Sequence, residues 1–130
     1  MSSNPLWSAS AAIVLISGFA FADVAEKNFS LQTTRDLYEL CSAPTDHQDY
    51  APAIYSCRSF LEATVQYHDA VSDGKTLKRL ICYPSGATLE DARDVFVAWV
   101  KANARNKAFM GEMPVMGVVR ALEDKYPCKG

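Results

Sequence analysis

The sequence predicts an all-α fold, a small disulfide-stapled bundle of about four helices arranged as two helical hairpins. Three observations carry this. Beyond residue 33 the apolar residues recur at three-to-four spacing, the helical period. The periodic segments are bounded by capping residues, prolines and a glycine, the usual start and stop signals. Four cysteines, Cys41, Cys57, Cys82 and Cys128, fall at or near the ends of those segments. With 130 residues, 49% of them apolar, the chain supports one modest core and leaves no room for a second. Fifteen acidic groups against 13 basic ones give a net charge of −2, which excludes the basic footprint of a nucleic-acid binder.

The first segment reads as targeting rather than fold. Residues 8–22, SASAAIVLISGFAFA, are apolar and uncharged and end in Ala20-Phe21-Ala22, the small-x-small pattern of a signal-peptidase site. Residues 1–22 are therefore expected to be a signal peptide cleaved after Ala22, leaving 23–130 as a single domain. No Lys or Arg lies between Met1 and Trp7, so the amino terminus alone supplies the positive charge that precedes such a run. The run is shorter than the ~20 apolar residues that span a bilayer, and no second one follows, so an exported, soluble product without a membrane anchor is expected.

The elements follow in order. Thr33 or Thr34 can cap a first helix with Asp36 in its first turn and Leu37, Leu40 and Cys41 on one side, stopped by Pro44. After a polar loop, Asp49 can cap a second, tolerating Pro52 near its start. That helix places Ala53, Ile54, Cys57, Phe60, Leu61, Thr64, Val65, His68 and Val71 together and ends at Asp73-Gly74. Residues 75–84 carry Leu77, Leu80, Ile81 and Cys82 and read as a buried connector or an extension of a helix turn. Thr88 with Asp91 forms a near-capping box for a third helix bearing Ala92, Val95, Phe96, Trp99 and Val100, which ends between Asn103 and Lys107. Pro114 opens a fourth with Val115, Val118, Val119 and Leu122, and Tyr126-Pro127 closes it before Cys128.

An even number of cysteines in an exported small domain points to two disulfides, for which sequence alone permits three pairings. The helix order favours Cys41–Cys57 across the first hairpin and Cys82–Cys128 across the second. By loop-closure entropy these would contribute about 3 and about 4 kcal/mol. Zinc is not expected, because no C-x-x-C occurs and His47 and His68 are not at finger spacing.

Signals for chemistry are weak. H-E-x-x-H and G-x-S-x-G are both missing, and Gly74-Lys75-Thr76 imitates a phosphate loop without its first glycine, since position 69 is Asp. Asn28-Phe29-Ser30 fits a glycosylation sequon, a pattern short enough to arise by chance. His68 is expected at the core edge, His47 in a solvated loop with Asp46 and Asp49, and Phe96 and Trp99 in the core. No catalytic residue, metal or cofactor is expected.

Cys-Tyr-Pro-Ser-Gly-Ala-Thr at 82–88 leads into an amphipathic helix, and Ala121-Leu122 precedes a closing Tyr126-Pro127-Cys128. In that order, after a helix-borne Cys41 and Cys57, the motifs resemble the Rap/Tai immunity family over roughly residues 33–128. The resemblance implies a periplasmic, non-enzymatic helical protein. Its partner would be a cognate peptidoglycan amidase delivered by a type VI secretion system, which it blocks to protect the producing cell and its sisters. A homodimer is also compatible with the resemblance. One departure falls between Asn103 and Met113, where the family more often has a compact Asn-Pro turn and this chain has Ala104-Arg105-Asn106-Lys107.

That same segment has the best claim to partner binding. It joins two helices and offers Arg105, Asn106, Lys107, Phe109, Met110 and Glu112, a mixture enriched at interface hot spots in Arg, Phe and Met. Two other functions suit a small exported disulfide-linked helical protein: an acid-stress chaperone of the periplasm, or an inhibitor of another cell-wall or host hydrolase. A secreted enzyme ranks below both for want of an uncommitted nucleophile and base.

Overall fold

A computed structural model describes residues 23–72 and 75–129. The expected signal peptide and the expected helix stop at Asp73-Gly74 lie outside the described residues. The fold is the all-α, disulfide-linked bundle anticipated from periodicity. Among the described residues it comprises a short 3-10 turn (Glu26–Ser30) and five α-helices: α1 (Thr34–Cys41), α2 (Tyr50–Val71), α3 (Leu89–Asn103), α4 (Lys107–Gly111) and α5 (Pro114–Lys125).

Local chemistry sets the helix starts. Thr33 Oγ1 accepts the Asp36 N–H at 3.1 Å, and the Asp36 carboxylate accepts the Thr33 N–H at 2.9 Å. Thr88 and Asp91 repeat the exchange at 3.1 and 2.8 Å. Both boxes use Asp where Glu is usual, and the shorter arm still closes the ring. Asp49 departs from expectation, since its side chain makes no capping bond. Its backbone is already close to helical (φ −96°, ψ 16°), whereas a capping side chain needs an extended backbone. The preceding loop is instead tied by His47, whose Nδ1 accepts the Asp49 N–H at 3.0 Å.

Helix α1 lies at the centre and packs against each of the other four helices and the 3-10 turn. Its Leu37, Leu40 and Cys41 are fully buried. From α2 come Ala53, Cys57 and Leu61, from α3 Phe96 and Val100, and from α5 Val118 and Leu122. Helices α3 and α5 pair as one hairpin, α1 and α2 as the other. Disulfides join Cys41 to Cys57 inside the core and Cys82 to Cys128 at the surface end of the second hairpin.

Two features differ from the periodicity. Residues 75–84 are neither helical nor, for the most part, buried: Leu77 and Leu80 face solvent and Ile81 alone among the expected apolar positions enters the core. The segment is held extended as a strap, because Ile81 pairs with Pro127 in an antiparallel bridge and the Cys82 N–H donates to the Tyr126 carbonyl at 2.8 Å. In α5 the buried stripe includes Pro114, Gly117 and Ala121, while Val115 and Val119 are only half-buried. Gly117 explains the rotation. A Cβ there would collide with the Thr34 side chain, coming within 2.7 Å of its Oγ1, so the glycine lets α5 lie directly on α1.

The sequon asparagine has a structural use. Asn28 is buried, accepts the Ala25 N–H at 2.8 Å and donates to Asp36 Oδ1 at 3.0 Å, fastening the 3-10 turn to the start of α1.

Candidate partner-binding surface

The segment between α3 and α5 folds into a helix of its own. Asn106 starts α4 by accepting the Phe109 N–H at 3.1 Å on its side-chain oxygen. One side of α4 turns inward. Met110 joins the core, 7% exposed, and Phe109 stacks on Trp99 with ring centroids 5.6 Å apart and planes 25° from parallel. The Arg120 guanidinium sits 4.7 Å from the Phe109 centroid and donates through Nε and Nη2 to both Glu112 carboxylate oxygens at 2.9 Å. That two-pronged bond holds the Glu112 carboxyl below its ordinary range and raises Arg120 further.

Further ties reach other helices. The Thr34 N–H donates to the Glu112 carbonyl at 2.7 Å, and Thr34 Oγ1 donates to the carbonyls of Glu112 and Met113 at 3.2 and 3.3 Å. Arg35 donates to the Ala104 carbonyl at 3.3 Å, and Trp99 Nε1 to Asp124 Oδ2 at 2.9 Å. The α3–α4–α5 corner is therefore fastened to α1 by one main-chain bond and three side-chain bonds to main-chain carbonyls, and needs little ordering before it docks on anything.

What faces outward is cationic and apolar. Arg105, Asn106 and Lys107 are exposed, and between Lys101 and Gly111 the chain has three bases and no acid. Beside them Met113 and Met116 are 64% and 39% exposed. Met113, Met116 and Arg120 follow at i, i+3 and i+7, one line along α5 that points away from the buried Val118 and Leu122.

The six residues singled out from sequence thus divide. Arg105, Asn106 and Lys107 lie on the surface, whereas Phe109, Met110 and Glu112 are engaged with Trp99, the core and Arg120. Sequence reasoning did not single out Met113, Met116 or Arg120, which share this surface. A signal existed for the first two: a Met pair straddling Pro114, off the Val118-Leu122 stripe. Trp99, expected in the core, is half-buried and forms the floor under Phe109.

A concavity of about 380 Å³ runs between α2 and residues 83–92, with Val65, Leu89 and Ala92 among its lining and Tyr83 and Tyr126 beside them. Tyr83 Oη is buried without a hydrogen-bond partner among the described residues, and burial, reinforced by Asp69 and opposed by Arg79, pushes its hydroxyl up to about 12. Among the described residues no three His, Cys, Asp or Glu side chains are grouped to hold a metal ion, and no helix is long and apolar enough to cross a membrane.

Fold and surface together define the class, a small disulfide-stapled helical domain with a rigid, cation-flanked apolar corner. Residues 33–128 match the family model of the Rap1a immunity proteins, and the chain belongs to that family. The matched span runs from the cap of α1 to the last cysteine and so contains both disulfides and α1 to α5. Membership points to a role in toxin immunity, with a cognate toxin as the partner. No curated protein and no solved structure matches the chain.

Proposed function

We propose that this protein is a periplasmic immunity protein that binds and inhibits a peptidoglycan amidase delivered by a type VI secretion system, protecting the producing cell and its sisters. The family match over residues 33–128 carries the proposal. Two disulfides suit an oxidising compartment, and the apolar segment at 8–22 supplies a route of export. The protein acts by occupying its partner and performs no chemistry of its own.

The α3–α4–α5 corner is the toxin-facing surface in this proposal. Met113 and Met116 are flexible apolar contacts that adapt to a partner's shape. Arg105 and Lys107 steer an acidic partner surface toward them, and Asn106 adds polar contact at the rim. Phe109, Met110 and Glu112 contribute from beneath by fixing α4 and Arg120.

Titrating the chain into the amidase while following peptidoglycan cleavage tests both parts. Stoichiometric inhibition is expected. Met113→Lys with Met116→Lys should weaken it by about 100-fold, the size of a lost apolar hot spot. Arg105→Glu with Lys107→Glu should slow association and reduce its salt sensitivity. Undiminished inhibition by a protein carrying all four changes would move the contact surface elsewhere, and lack of inhibition by the unaltered chain would remove the amidase as target.

A further inference from the structure

The strap at 75–84 is held by an unusual fastener. His68 on α2 is 7% exposed and faces the strap. Its Nε2 accepts two main-chain N–H groups, those of Leu80 at 3.4 Å and Ile81 at 3.3 Å. Its Nδ1 lies 3.1 Å from Asp69 Oδ1. An ionised carboxylate only accepts, so Nδ1 carries the proton and Nε2 presents the lone pair. The hydrogen-bond network thereby fixes the neutral tautomer.

Protonation acts on the two contacts in opposite senses. An imidazolium has an N–H at both nitrogens and no acceptor. The Nδ1 contact to Asp69 gains charge assistance. At Nε2 a donor replaces the acceptor and meets two N–H groups head-on, leaving the buried Ile81 amide without its partner. We infer that His68 is a pH-operated latch: the neutral ring holds the strap at Leu80 and Ile81, and the charged ring lets it go.

Among the described residues, charged and titratable groups face the ring from α2, the strap and α5. Asp69 Oδ1 faces Nδ1 of the ring, and Nη2 of Arg79 on the strap lies 2.7 Å from the same Asp69 oxygen. Tyr83 meets the ring edge-on at 6.4 Å between centroids, and its hydroxyl stays protonated wherever a histidine titrates. Lys78 of the strap and Glu123 of α5 lie with Arg79 and Leu80 around a small cleft that also reaches Cys128. The Cys82–Cys128 disulfide keeps the far end attached, so the movement is a lift of the strap rather than a loss of fold. Lifting uncovers Ile81, which is otherwise fully buried, next to the exposed Leu77 and Leu80. It also shifts Tyr83 and Pro84, part of the rim of the groove along α2. Acid would therefore create a continuous apolar strip remote from the toxin-facing corner, and the latch stands or falls independently of the immunity role.

Amide hydrogen exchange on the full, disulfide-intact chain, followed by NMR together with the ring signals of its two histidines, tests the latch. As pH falls from about 8 to about 4.5, protection at Leu80 and Ile81, corrected for intrinsic exchange, should drop by at least about tenfold in step with the His68 ring. Helices α1, α3 and α5 should keep theirs. In His68→Gln the amide oxygen accepts at every pH, so strap protection should lose its pH dependence. If that variant does not fold, His68→Phe serves: no acceptor remains for the Leu80 and Ile81 amides, so strap protection should be low at every pH and lose its pH dependence. Strap protection that is constant over this range in the unaltered chain, or that falls equally in either variant, overturns the inference.

Discussion

Thr34 and Gly117 decide how closely α1 and α5 approach, and the pair illustrates what single residues contribute. Thr34 is fully buried and fixed by two carbonyls at the start of α5, so it cannot retreat from an added methyl group. Gly117→Ala should cost about 1–3 kcal/mol, read as a lower urea midpoint with unchanged slope. Asp36 contributes to the acid limb of stability. Burial raises its carboxyl, but hydrogen bonds from Asn28 and Thr33 and from the backbone outweigh that, and the net direction is down from 3.8. A depressed folded value means that the stabilisation is present above the unfolded value and is lost as pH falls through the folded one. Asp36→Asn should therefore be less stable than the unaltered chain near neutral pH yet flatter below about pH 4, as urea midpoints across pH will show. The capping pairs Thr33/Asp36 and Thr88/Asp91 were legible in sequence because both partners lie within one turn. The role of His68 was not, since its acceptor nitrogen is filled from 12 and 13 residues away by main-chain groups that no side-chain pattern announces.

Among elements, α4 is the most informative. A five-residue helix offers too few positions for a periodic signal, and its residues read equally well as a solvated loop. Composition located the segment and its exposed cations, but it did not reveal that Phe109 stacks on Trp99 or that Met110 enters the core, because both depend on where α3 and α5 lie. The division has a measurable consequence. Met110→Ala should lower stability by about 2 kcal/mol or more, whereas Arg105→Ala and Lys107→Ala should stay within about 0.5 kcal/mol in the same unfolding experiment. The strap shows the converse limit. Its apolar residues suggested burial, yet a disulfide and a two-residue bridge to Pro127 dictate an extended path that leaves Leu77 and Leu80 outside.

At the scale of the whole molecule, the bundle is organised around α1, with one disulfide inside the core and the other closing the α3–α5 hairpin at its open end. Fold class was legible because helical period, caps and cysteine positions all agree, and such agreement across levels is what specifies a fold. The family was legible through the 82–88 motif and the Tyr126-Pro127-Cys128 end, both of which prove to be structural: the first leads into the α3 cap, the second anchors the strap. Residues that recognise a partner leave no comparable mark, which is why the corner emerges from exposure and geometry. Coexpression with the product of the neighbouring open reading frame, directed to the periplasm of a test bacterium, measures the central claim most directly. Lysis by that product, abolished by the full chain and not by a chain lacking residues 1–22, is the predicted result. Lysis that the exported chain leaves unchanged would contradict it.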